Sequence, residues 1–217
     1  MEGDDLGALI ADSVVLEDAD VVVVSQKVVS KSEGRVVRLD DVEPSAAAVE
    51  LAAGHDPRHL EVILREAARI VRSRPPLVIA ETRHGFVCAS AGVDASNAPE
   101  PGTLVLLPVD PDASAAAIRE RIAELTGRDV GVVVSDSFGR PFRAGIVPLV
   151  DWRGQIDPAG HELRTTVIAV ADEIASAAEL AMGKLAGVPA AVVRGLEVRG
   201  LGSARELVMP PERNLFP

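Results

Sequence analysis

The chain has 217 residues, 47% of them hydrophobic and only 2% aromatic, with no tyrosine and a formal net charge of −11. Apolar material on this scale builds a core of Val, Ala, Leu and Ile and excludes a disordered chain. The acidic balance and the shortage of rings argue against wrapping or stacking on nucleic acid, and a phosphate-bearing ligand would need local cations.

Cys88 is the only cysteine, so no intrachain disulfide forms. No apolar run approaches the roughly 18 residues of a membrane span. The opening "MEGDDLGALI" carries acid where a leader peptide carries positive charge. The expectation is a cytoplasmic protein with neither a membrane nor a nucleic-acid partner.

In chain order, apolar runs bounded by Gly, Pro, Asp or Ser predict strands over 20–29, 35–39, 76–82, 85–90, 103–108, 131–135, 165–171 and 189–195. "VVVV" and "GVVV" lack alternation, which predicts cover on both faces. Helical periodicity predicts helices over 56–73 with Pro57 in the first turn, over 110–127 ending at Gly127, and over 171–184 stopping near Gly183. Residues 40–48 and 94–102 read as Pro-, Asp- and Ser-rich connections. Strands interleaved with helices define a mixed α/β (α+β) class. The chain is one unit over 1–217, or two intertwined subdomains with no boundary legible in the sequence.

Three polar clusters stand out. The first, "SQKVVSKSEGR" at 25–35, follows a buried run; its lysines can anchor a triphosphate, or the segment is a solvated hairpin. In the second, "AGVDASNAPEPG", Asp94 offers oxygen to a hard cation and Asn97 a hydrogen bond to a ligand, unless both only build an Asx-turn. The third, "VVVSDSFGRPFRAG", sets Asp136 and Ser137 as adjacent oxygen donors at the end of a strand, with Gly139 for a turn and Arg140 and Arg143 as cations. Ligands of α/β folds sit outside the carboxyl ends of strands, and here position and chemistry agree. His55, His59, His84 and His161 lack metal-ligand spacing, Cys88 reads as a core thiol, and no P-loop, Rossmann or serine-hydrolase motif is present.

Together, "QKVVSKSEGRVV", "ETRHGFVCASAGVDASN", "LLPVDPDASAAAIRERI", "VVVSDSFGRPFRAG", "AVADEIASAAELAMGK" and "GVPAAVVRGL" resemble the γ-glutamyl ligase family of deazaflavin coenzyme F-420 biosynthesis, from about residue 3 to 196. The resemblance implies an enzyme that uses GTP and Mg²⁺ or Mn²⁺ to join L-glutamate by amide bonds to the coenzyme precursor. It also implies a fold that is neither Rossmann nor P-loop, assembled as an intertwined homodimer. By position, the metal ligands implied are Asp94, Asp136 and Ser137. The nucleotide contacts implied are Ser25, Gln26, Lys31 and Asn97, then Met182, Gly183, Lys184, Leu185, Ala186, Gly187, Val188 and Pro189. No residue is singled out as the catalytic base.

Two departures from the family pattern bear on function. The chain starts at the equivalent of "GDDL", without a further strand and a Leu-Pro-Glu element, and Gly145 leads straight into "IVPLVDWRG", where relatives carry a Gln-Thr-Asp and a Gly/Ala-rich segment. These leave two alternatives to the ligase: a reduced relative that binds nucleotide or deazaflavin phosphate without ligating, or the same chemistry on another carboxylate.

Overall fold

The computed structural model describes residues 2–136, 150–151, 167–168, 170–183 and 187–196, with isolated residues at 202, 203, 205, 208 and 212. The chain opens with helix α1 (Leu6–Ser13), capped by the Asp5 carboxylate, which accepts from the Ala8 N–H at 2.9 Å. Strand β1 (Val21–Ser25) runs directly into helix α2 (Gln26–Ser32), and β2 (Val36–Arg38) follows. Helices α3 (Ala46–Ala52) and α4 (Pro57–Glu66) lead to strands β3 (Ala67–Arg74), β4 (Leu77–Thr82), β5 (Val87–Ala89) and β6 (Thr103–Val105). Helix α5 (Pro111–Thr126), strands β7 (Gly131–Ser135), β8 (Val150–Asp151) and β9 (Val167–Ile168), helix α6 (Val170–Met182) and strand β10 (Ala190–Val193) complete the order. The architecture is mixed α and β, as the sequence predicts.

Besides α1, which is not predicted, and the expected strand over 165–171, whose last residues begin α6, three segments depart from that prediction. The expected strand over 20–29 stops at Ser25 and turns helical, so "QKVVSKS" is neither strand nor hairpin. The expected helix over 56–73 ends at Glu66, and the remainder is β3, pairing antiparallel with β4 from Ala67 opposite Thr82 to Arg74 opposite Leu77. Long-range pairing outweighs local helical periodicity there. The connection over 40–48 contains the start of α3, whose N-cap Ser45 accepts from the Ala48 N–H at 3.3 Å.

The sheet that positions the site has the order β10-β1-β7, with β1 parallel to β7 and antiparallel to β10. Because side chains alternate across a strand, the four valines of β1 divide between two cores. Val22 and Val24 pack with Ile118 and Ile122 of α5 and with Leu6 and Ile10 of α1. Val21 and Val23 pack with Ile174, Ala178 and Met182 of α6. The cover predicted for "VVVV" therefore comes from helices of the same chain. A third core gathers α3, α4, β4 and β6 around Leu60, Ile63, Val78 and Leu104.

Candidate functional site

Parallel β1 and β7 end side by side, Ser25 opposite Ser135, and Asp136 is the next residue. On the other side of β1, the Ser25 N–H donates to the Pro189 carbonyl at 2.8 Å, just before β10 begins. Ser25, Asp136 and Pro189, taken from three separate expected elements, thus meet at one end of one sheet. This is the carboxyl end of the two parallel strands, where ligands of open α/β sheets bind.

Helix α2 rises from that end and reaches the Asp94 loop. The Lys27 ammonium lies 2.5 Å from Asp94 Oδ2 and donates to Ser96 Oγ at 2.6 Å. One helical turn later, Lys31 Nζ donates to the Asn97 carbonyl at 2.5 Å. Asp94 also accepts from the Ser96 N–H at 2.7 Å and the Ser96 hydroxyl at 2.8 Å, so the Asx-turn is present. Asn97 is exposed and left-handed, with φ of 55°. It lines a shallow cavity of about 340 Å³ together with His59, Glu100 and Thr103.

The loop is aimed by an unusual entry. Ser90, Ala91 and Gly92 have φ of 54°, 51° and 74°, three left-handed residues in succession between β5 and the loop. Gly92 is required there twice over, by its φ and because a Cβ would lie 2.6 Å from Leu107 Cδ1. After the turn, Asp94 exchanges backbone hydrogen bonds with Val105 at 3.0 and 2.8 Å, which fixes its Cα against β6.

Electrostatics keep this cluster charged. Burial pushes the Asp94 carboxyl up, but the Lys27 hydrogen bond, the two Ser96 bonds and the Lys27 charge outweigh it and hold the group below the ordinary carboxylate value. Lys31 is lowered, first by burial and then by the neighbouring Lys27 charge. Cys88, fully buried on β5, is pushed up to about 12, first by burial and then by the negative charge of Asp136.

The remaining expected residues are distributed as follows. Gln26 is buried, its amide donating to Ser30 Oγ at 2.5 Å and to the Leu106 carbonyl at 3.0 Å, so it braces α2 against the end of β6. The Met182 side chain lies in the core beneath β1, while Gly183, Gly187, Val188 and Pro189 are exposed. Ser137, Gly139, Arg140, Arg143, His161, Lys184, Leu185 and Ala186 lie outside the described residues. Lys27 is the residue that sequence reasoning did not single out. Its signal was the four-residue spacing to Lys31, which places both on one face only if 26–32 is read as a helix.

Among the described residues, no group of three or more His, Cys, Asp or Glu side chains is placed to hold a metal ion. The oxygen chemistry of Asp94 and Asp136 is of the kind Mg²⁺ or Mn²⁺ takes, since these ions usually bind one or two carboxylates and fill their shell with water and phosphate oxygens. Asp94 is here paired with a cation, the Lys27 ammonium.

The fold is mixed α and β, with the Lys27, Lys31 and Asp94 side chains beyond the carboxyl end of the parallel strands of a short mixed sheet. The chain is a member of the F420-0:Gamma-glutamyl ligase family, which it matches over residues 1–195. It is 49% identical to the Coenzyme F420:L-glutamate ligase of Methanopyrus kandleri, covering 99% of this chain and 92% of that protein. The proteins of the same name from Archaeoglobus fulgidus and Methanocaldococcus jannaschii are 45% and 44% identical, covering 99% and 93% of this chain and 91% and 86% of theirs. The Methanopyrus alignment runs over 232 positions and this chain has 217 residues, so at least the difference, 15 positions, are gaps on this chain's side.

Proposed function

We propose that this chain is a GTP- and divalent-metal-dependent ligase that adds L-glutamate to the deazaflavin coenzyme precursor through amide bonds. The observation that carries the reading is the convergence of Ser25, Asp136 and Pro189 at one sheet end, beside the Asp94–Asn97 turn that Lys27 and Lys31 of α2 engage. The relatives named for the coenzyme F420:L-glutamate reaction support the acceptor and the amino acid. Nucleotide and metal rest on the family resemblance, and the carboxylates and lysines at that sheet end support them.

In this reading the acceptor carboxylate takes the γ-phosphoryl group of GTP and GDP leaves. The glutamate amine then attacks the acyl carbon, gives up a proton, and phosphate departs as the amide forms. Asp94, Asp136 and Ser137 would hold the divalent cation, which would supply positive charge to the phosphates. Lys31 places a second positive charge at the same face of the loop, and its partly buried setting strengthens that charge toward an anion. Ser25, Gln26, Asn97 and residues 182–189 form the rest of the nucleotide site. Two chains assemble as a homodimer in the cytoplasm; the partly exposed β7, an edge strand among the described residues, supports this, because a valine strand at an edge calls for cover.

The test is direct. Purified protein with GTP, Mn²⁺, L-glutamate and the deazaflavin precursor yields a product heavier by one glutamate. GDP released without conjugate overturns the ligase reading in favour of a nucleotide-binding relative, and conjugation only to a different carboxylate in an acceptor screen relocates the substrate.

A further inference from the structure

Lys27 is tied to Asp94 more closely than a surface charge needs to be. Its side chain is only 15% exposed, and its ammonium lies 2.5 Å from Oδ2, the oxygen that also accepts from the Ser96 hydroxyl. The other oxygen, Oδ1, accepts from the Ser96 N–H. A carboxylate offers about four lone-pair sites, and here three are in use, both of those on Oδ2 among them. The Asp94 side chain is 43% exposed.

The free site is on Oδ1, and a divalent ion there would sit about 2.1 Å from that oxygen. The ammonium is 2.5 Å from Oδ2 of the same carboxylate, so the two cations would share one group and lie within the screening length of about 8 Å. At that range a double and a single positive charge repel by several times thermal energy, even at the effective dielectric of a protein surface. Each cation therefore weakens the hold of the other on the carboxylate.

We propose that Lys27 is the resident counter-cation of Asp94: it neutralises the carboxylate in the ligand-free protein and competes with the divalent metal for it. This rests on Asp94 being a metal ligand, as proposed above. A tether between α2 and the loop is the plainer role for such a contact, but Lys31 already supplies one through the Asn97 carbonyl one turn away. The charge of Lys27, rather than its hold on the loop, is what sets metal affinity.

The two roles predict opposite signs. Mn²⁺ binding to the nucleotide-free protein is measured by the loss of the free-ion electron paramagnetic resonance signal, beside the thermal midpoint, for the wild type, Lys27→Gln, Lys27→Met, Lys27→Arg and Asp94→Asn. Competition predicts that Lys27→Gln and Lys27→Met bind Mn²⁺ about tenfold more tightly or better, while Lys27→Arg, which keeps the charge, stays near the wild type. Asp94→Asn weakens binding by at least about tenfold. If both neutral variants bind Mn²⁺ no better than the wild type while Asp94→Asn loses it, the competition is overturned and Asp94 stands as a ligand. If Asp94→Asn binds like the wild type, the metal site itself is misplaced and the competition falls with it. The second neutral variant decides the matter should Lys27→Gln fail to fold.

Discussion

The Asp20 carboxylate offers the sharpest test of what holds the central strand in place. Asp20 stands just before β1 and is 1% exposed, yet it is charged. Arg194, directly after β10, donates to both of its oxygens, Nε to Oδ1 at 2.8 Å and Nη2 to Oδ2 at 2.7 Å, and the Glu17 N–H adds a third bond at 2.8 Å. Replacing Arg194 with alanine leaves a buried carboxylate with one of these three bonds. Removing one partner of a buried ion pair costs about 3–5 kcal/mol. The guanidinium is 45% exposed and the Glu17 bond survives, so the lower end, about 3 kcal/mol, applies here.

For a chain of this size, a loss of about 3 kcal/mol lowers the thermal midpoint by about 6–12 °C. Differential scanning calorimetry at pH 7 reads this directly, and a shift under about 2 °C would refute the reasoning. The pH dependence supplies an independent check. The Arg194 hydrogen bonds, against the opposing push of burial, hold the folded Asp20 pKa below the ordinary value of 3.8. Its contribution is therefore complete above that value and is lost as pH falls through the lower, folded pKa. The gap between wild type and Arg194→Ala must be full at neutral pH and narrow only in acid below about pH 4. Mn²⁺ affinity should not change, because Asp20 lies at the opposite end of β1 from Ser25.

Three further outcomes are expected. Asp136→Asn weakens Mn²⁺ binding by at least about tenfold at unchanged far-ultraviolet circular dichroism, and an unaltered titration removes Asp136 from the proposed site. Cys88 is fully buried with its thiol pushed up to about 12, so a chromogenic disulfide reagent at pH 8 finds no rapidly reacting thiol in the native protein and one after guanidinium; fast native labelling contradicts the packing of β5. Gly92→Ala, at φ of 74° and with its Cβ 2.6 Å from Leu107, destabilises by about 2–3 kcal/mol in urea unfolding and displaces the Asp94 loop, so Mn²⁺ affinity falls with stability; a neutral substitution would show that the left-handed turn is not what aims Asp94.

What the sequence made legible divides by range. The ends of α5 were readable because their causes are local: Asp110 caps the Ala113 N–H at 3.1 Å and Gly127 closes the helix at φ of 68°. The double cover of "VVVV" was readable because a strand without polar alternation has no face to give to water, although the sequence does not say which helices cover it. Residues 67–74 were misread because helical spacing continues through Ile70 and Val71, while pairing with β4, decided by residues up to 82, overrides it. In 26–32, two adjacent valines suggested a longer strand; the chain turns helical once Ser25 has made its last ladder contact, with Val29 and Ser30 buried against the core.

That single misreading also hid part of the site. Asp94 and Asp136 were named as oxygen donors at the ends of buried runs, and as metal ligands through the family resemblance; the Asx-turn that was the alternative at Asp94 is also present. Where the two segments lie depends on Ser25 lying opposite Ser135 and on Lys27 reaching Asp94, contacts that span 110 and 67 positions of the chain, 135 less 25 and 94 less 27. On a strand, Lys27 and Lys31 would point the same way but about 13 Å apart. On a helix they stand about 6 Å apart, one turn above the other. Only the second spacing lets two ammonium groups engage one short turn, Lys27 at its carboxylate and Lys31 at the carbonyl three residues on, so the helix at 26–32 is what converts a row of basic residues into an electrostatic partner for the Asp94 turn.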